Sequence, residues 1–116
     1  MKLRQVADLL KARVLTDEEL LENSVDNVFC TDLMADVLRY ASSDTVLITR
    51  LVNLAVVRSS MLAEVHCVVF PAGTEPTQEL LHLAEAHEVA IMATELSMFD
   101  ATERLLESGL SEAAWI

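Results

Sequence analysis

From Val25 to Leu38 the chain reads Val-Asp-Asn-Val-Phe-Cys-Thr-Asp-Leu-Met-Ala-Asp-Val-Leu. An apolar, strand-forming run passes straight into residues spaced for an amphipathic helix, with no room for a linker. A strand and a helix joined this closely must share one core, because neither buries its apolar face alone. Val25 to Cys30 is predicted as a strand. Thr31 is predicted to cap the helix that follows. That puts Asp32 in its first turn, where a carboxylate suits the positive end of the helix dipole. Leu33, Met34, Val37, Leu38 and Ala41 form one stripe at helical spacing and are expected to face the core. Ser42-Ser43-Asp44 ends the helix.

The same alternation recurs along the chain. Lys2 to Lys11 is an amphipathic helix through Leu3, Val6, Leu9 and Leu10, and Arg13-Val14-Leu15 is a short strand. Thr16-Asp17-Glu18-Glu19 has the form of a capping box. The acidic stretch from Thr16 to Glu22 is nevertheless read as a charged loop. Thr45 to Thr49, His66 to Phe70 and Val89 to Ala93 are strands, and the Cys67–Phe70 run is apolar on both faces, as in a sheet covered on both sides. Leu54 to Glu64 and Thr77 to Glu88 are helices, the second with Leu80, Leu81 and Ala84 facing inward. A last helix follows Ser97, with Asp100 completing a box-like cap, with Met98, Ala101, Leu105 and Leu106 on its core side, and with Gly109 as its stop. Pro71 to Pro76 is the strongest turn signal. This order implies one α/β domain: a mainly parallel central sheet of about five strands, helices on both faces and right-handed crossovers. Residues 1–110 form the domain and 111–116 a short C-terminal tail, whose Trp115-Ile116 is expected to dock on the domain or a second subunit.

Composition narrows the function. The net charge is −11, from 19 acids against 8 bases, which argues against nucleic acid and anionic membranes as partners. Apolar residues make up 53% of a 116-residue chain, an excess that a second copy would cover. No signal peptide or spanning segment is read, so the expected location is cytoplasmic, with Cys30 and Cys67 reduced and buried.

Ligands of parallel α/β sheets bind beyond the carboxyl ends of the strands. Here that rim holds Thr49 to Asn53, Pro71 to Thr77 and Thr94 to Ser97. Several rim segments also carry a resemblance. Thr31-Asp32-Leu33-Met34-Ala35-Asp36-Val37 is similar to a "DLLSDV" helix start. Val46-Leu47-Ile48-Thr49 with Asn53 is similar to an "ITxxxxxN" segment. Val68-Val69-Phe70 through Gly73 and Pro76 is similar to an "IIxTGGxxP" turn. Ala90 to Thr94 followed by Phe99 is similar to a "PVLxTxxDTF" end. In this order, from about Leu3 to Gly109, the chain resembles the small stand-alone DRTGG-domain proteins of bacteria. Related domains lie inside some phosphotransacetylases and CBS-domain pyrophosphatases, and the N-terminal domain of the HPr kinase/phosphorylase resembles them more distantly. The resemblance implies a regulatory domain and, in some relatives, adenine-nucleotide sensing at a dimer interface. The naming motif itself is absent: its glycine pair falls at about Asp26-Asn27. An Asp there adds negative charge where glycine would let backbone approach a phosphate.

The candidate ligand-binding residues are Thr49, Arg50, Asn53, Gly73, Thr74 and Thr94. Arg50 follows a strand at the rim, so it could clamp an anion together with Asn53, Thr74 and the Gly73 amide; a surface salt bridge is the plainer reading. Asp32 and Asp36 could be a metal or acid–base pair, or a cap residue and a solvated acid. No metal site is expected, because His66-Cys67 point to opposite faces of a strand and His82 and His87 diverge on a helix. No P-loop or nucleophile elbow is present, so no catalytic residue, enzyme activity or cofactor is assigned. The expected function is a non-catalytic regulatory module, a homodimer sensing a small anionic ligand such as an adenine nucleotide. The alternative is an acidic adaptor for a partner enzyme, with no small-molecule ligand.

Overall fold

Alternate residues of every central strand enter different cores. The computed structural model describes residues 1–113; the docking expected of Trp115-Ile116 lies outside the described residues. The elements run α1 (Leu3–Leu10), β1 (Arg13–Val14), a 3-10 helix (Glu18–Glu22), β2 (Asn27–Cys30), α2 (Met34–Tyr40), β3 (Thr45–Ile48), α3 (Leu54–Leu62), β4 (Cys67–Phe70), α4 (Gln78–Ala86), β5 (Ala90–Ala93), α5 (Met98–Glu107) and β6 (Ser111–Glu112). They form one sheet in the order β1-β5-β4-β3-β2-β6. Only β1 is antiparallel to its neighbour.

The register aligns Phe29, Leu47, Val68 and Ile91 in one row across four strands. That row, with Phe70, buries against Val37 of α2, Val56 and Val57 of α3, and Leu80 and Ala84 of α4. The flanking rows, Val28-Val46-Cys67-Ala90 and Ile48-Val69-Met92, face the other way, onto Leu3, Val6 and Leu10 of α1 and Ala101 and Leu105 of α5. This is the α/β class, with its mainly parallel sheet and helices on both faces, that the sequence predicts. The strands β2 to β5 step in one direction, so right-handed crossovers put α2, α3 and α4 on one face. The chain then crosses back on the opposite face through α5.

Three helices begin within a residue of where the sequence indicates, each on a side-chain cap, of which the sequence reading named Ser97 alone. Asn53 accepts from the Ala55 N–H, Thr77 from Leu80 and Ser97 from Asp100. The α2 start differs. The helix begins at Met34 after Leu33, which supplies no side-chain cap, and the Thr31 hydroxyl accepts from the Leu33 N–H instead. Asp32 therefore lies outside the helix. Leu33 and Leu38 also depart from the expected core stripe, being 65% and 50% exposed. A seven-residue helix turns only one residue, Val37, fully inward. Residues Glu18–Glu22, read as loop, wind into a 3-10 helix because Asp17 caps the Glu19 N–H and Leu21 is drawn into the core.

Met1 and Ser111 are both tied to the approach to β2. The Met1 ammonium donates to the Val25 carbonyl at 2.8 Å, and Ser111 N–H donates to the Asp26 carbonyl at 3.1 Å. With only two glycines in the sequence, the left-handed residues that close α1 and follow α3 and α4 are Lys11, Glu64 and Glu88; Gly109 takes the same role after α5.

Cys67 is fully buried, and loss of water pushes its thiol up to about 12. Ser60, on the inner side of α3, is also fully buried, and its hydroxyl has no hydrogen-bond partner among the described residues. Removing an orphaned hydroxyl restores nothing to be lost, so Ser60→Ala should raise stability by about 1 kcal/mol in urea unfolding.

Candidate functional site

The carboxyl ends of β2 to β5 make one rim, and two of its loops are locked together by a carboxylate. Register pairs Cys30 with Ile48. The residues two further on, Asp32 and Arg50, are therefore side by side. Asp32 Oδ1 accepts from the Thr49 hydroxyl at 3.0 Å and the Arg50 backbone N–H at 2.8 Å. Its Oδ2 accepts from Arg50 Nε at 3.1 Å and Nη2 at 2.9 Å. Burial raises the Asp32 pKa, but the Arg50 amide and guanidinium and the Thr49 hydroxyl outweigh it and hold the carboxyl below its ordinary value.

The six candidate residues divide by what they have left to offer. The Thr49 hydroxyl is spent on Asp32 and on the Leu51 N–H. Thr94 is buried, and its hydroxyl donates to the Leu10 carbonyl at 2.7 Å while accepting from Leu96 N–H. These two hold the fold. Arg50 uses only its Nε and Nη2 on Asp32, and its side chain is 65% exposed. Asn53 uses Oδ1 to cap α3. Gly73 sits at φ +79° in the exposed β4–α4 turn, and Thr74 N–H closes that turn on the Pro71 carbonyl. Arg50, Asn53, Gly73 and Thr74 thus keep donors on the same rim.

A switch point lies between β4 and β5, because the loop after β4 leads to α4 on one face and the loop after β5 leads to α5 on the other. Here the crevice is bridged: Ala72 N–H donates to the Leu96 carbonyl at 2.8 Å. The loop after β4 is held from outside by Arg13, 2.8 Å from Glu75.

Asp26 and Asn27 stand at the other end of the sheet. There Asn27 joins Asp26 and Thr45 through bonds of 2.7 and 2.6 Å. The missing glycine pair therefore does not touch the Arg50 rim. At that same end His66 and His87 meet in one groove with Met61 and Glu64, a pairing the sequence reading did not make. Among the described residues, no group of three or more His, Cys, Asp or Glu could hold a metal ion. No helix there is long and apolar enough to cross a membrane.

Comparison with known proteins decides the family. The DRTGG domain signature matches residues 5–108. The chain belongs to the DRTGG domain family. Among solved structures, this DRTGG chain is similar to the CBS and DRTGG domains of the regulatory region of Clostridium perfringens pyrophosphatase, solved with the activator diadenosine tetraphosphate. The TM-score is 0.68 at 16% identity, over 94% of this chain and 47% of that one. The DRTGG chain thus spans about half the length of the structure it matches, and the likeness is one of fold. No curated protein matches it.

The Asp32 cluster gives a direct test of what holds the DRTGG rim. Asp32→Ala removes all four bonds and should cost about 1–2 kcal/mol, discounted for a side chain 34% exposed. Arg50→Ala keeps the amide and hydroxyl bonds and should cost less than about 1 kcal/mol. Because the folded pKa of Asp32 is depressed, its contribution is present above the ordinary value of 3.8 and is lost as pH falls through the folded value. Urea titrations of wild type and Asp32→Asn should therefore converge as the pH drops below 3.8.

Proposed function

We propose that this chain is a non-catalytic regulatory module, working as a homodimer, that binds a small anionic ligand such as an adenine nucleotide at the carboxyl rim. The observation that carries this is Arg50. A guanidinium offers five donors. Asp32 holds this one in place on two of them and leaves the rest to solvent. A ligand phosphate would take the outer donors of Arg50, with the Gly73 amide, the Thr74 hydroxyl and the Asn53 amide completing the contact. The solved regulatory region with diadenosine tetraphosphate supports choosing nucleotides as first probes.

The test is thermal unfolding with adenine nucleotides and dinucleoside polyphosphates. At 100 times its dissociation constant, a ligand should add about 2.7 kcal/mol. Arg50→Ala should abolish the shift, and no shift across the panel would remove the ligand reading.

The second reading, an acidic adaptor for a partner enzyme, is favoured by a different observation. Glu79 and Glu85 on α4, and Asp100, Glu103 and Glu107 on α5, are all exposed. Salt-sensitive co-purification with one partner supports it; binding that survives charge reversal of these acids removes it.

A further inference from the structure

The outer surface of α2 and α3 differs from that of α4 and α5 in two independent ways. One is apolarity. Five large apolar side chains are exposed among the described residues, and four of them, Leu33, Leu38, Met61 and Leu62, lie on or beside these helices. Leu62 is 76% exposed. Helix α3 is the middle helix of its layer, in contact with α2 on one side and α4 on the other. Its inner side carries Val56 and Val57, yet its outer side adds Ala55, Met61 and Leu62, with Arg58 as its one charge. A helix apolar all round is ordinarily covered on all sides.

The other is charge. Asp36, Arg39 and Arg58 are the only charges on the two helices, one acid against two bases, in a chain of net charge −11. A basic partner would be drawn to the acidic sides of α4 and α5 instead. Two copies of an acidic chain repel each other everywhere except where the acids are missing. Of the two places with exposed large apolar side chains, the α2–α3 side and Phe99 on acidic α5, the α2–α3 side is the one that a second copy approaches at lower cost, and it has more apolar surface to bury.

From this we infer that the α2–α3 outer face is the self-association surface, packed on the same face of a second copy about a two-fold axis. The inference rests on the homodimer part of the function proposed above and names the surface that forms it. The same layer also meets the rim. Asp32, which binds Arg50, immediately precedes Leu33, so the residue that orders the anion-facing loop also sets where an exposed leucine of the interface stands.

Sedimentation velocity over a range of concentrations, at low and high salt, tests the assignment. Wild type should be a dimer whose association strengthens with salt, because screening weakens repulsion between two acidic chains. The double variant L38E/L62E should associate at least about tenfold more weakly, a change of roughly 1.4 kcal/mol, while keeping its circular dichroism and a cooperative unfolding transition. Phe99→Glu, which alters the remaining exposed large apolar side chain, should leave the dimer intact. A wild-type dimer unmoved by L38E/L62E would overturn the α2–α3 assignment and leave the dimer standing. A dimer broken by Phe99→Glu would do the same and move the interface to α5. A monomer at every concentration would overturn the dimer and its surface together, without bearing on nucleotide-induced thermal shifts, which are read separately.

Discussion

Phe70→Ala should lower stability by about 3–5 kcal/mol, a large share of the 5–15 kcal/mol that holds a domain together. Phe70 is fully buried and among the largest of the fully buried side chains. It closes β4 immediately before Pro71, on the α2–α4 side of the sheet. Truncation leaves a cavity beneath the β4–α4 turn, and a rigid sheet cannot collapse to fill it. Phe70→Leu keeps most of the volume and should cost less than about 1.5 kcal/mol. Urea midpoints for the two variants measure the difference. Equal losses would mean that shape, and not volume, is what this site requires.

The second large effect concerns Thr94, a residue that the sequence places in the ligand site. Thr94→Val should destabilise the fold by about 1–3 kcal/mol and leave ligand affinity unchanged in the folded protein. Valine matches the shape but cannot donate, so the Leu10 carbonyl, where α1 ends, is left buried and unsatisfied. It also cannot accept from Leu96 N–H, which orders the loop after β5. The measurement pairs urea unfolding with nucleotide titration of the same variant. Loss of binding without loss of stability would return Thr94 to the ligand site.

The contrast between Thr94 and Arg50 shows what the sequence could carry. Strands β2 to β5 were readable because a sheet covered on both faces needs uninterrupted apolar runs, and Cys67–Phe70 is one. The helix start at Ser97 was readable because a cap bonds within three residues of itself, and the same local signal was there at Asn53 and Thr77. Asp32 was not, since its partners are 17 and 18 residues away. One signal could have found them: aligned parallel strands place residues at equal distances past their ends side by side, and Asp32 and Arg50 are such a pair. The bond that occupies Thr94 was hidden for the same reason, its partner being 84 residues away. Strand β6 carries no apolar signature at all. Ser111 and Glu112 are both exposed and are drawn into the sheet by backbone bonds to Asp26 and Val28.

The anchoring of Met1 on Val25 and Ser111 on Asp26 has a consequence for how such a domain is used. Met1 and Ser111 thus sit beside neighbouring residues at one corner of the sheet. A unit wired like that can be spliced into a surface loop of another protein without pulling its ends apart, as circular permutation and domain insertion both require. A host protein would receive it as a bud on a narrow stalk. The same arrangement suits a free-standing domain and an inserted one, with no redesign of the core between them.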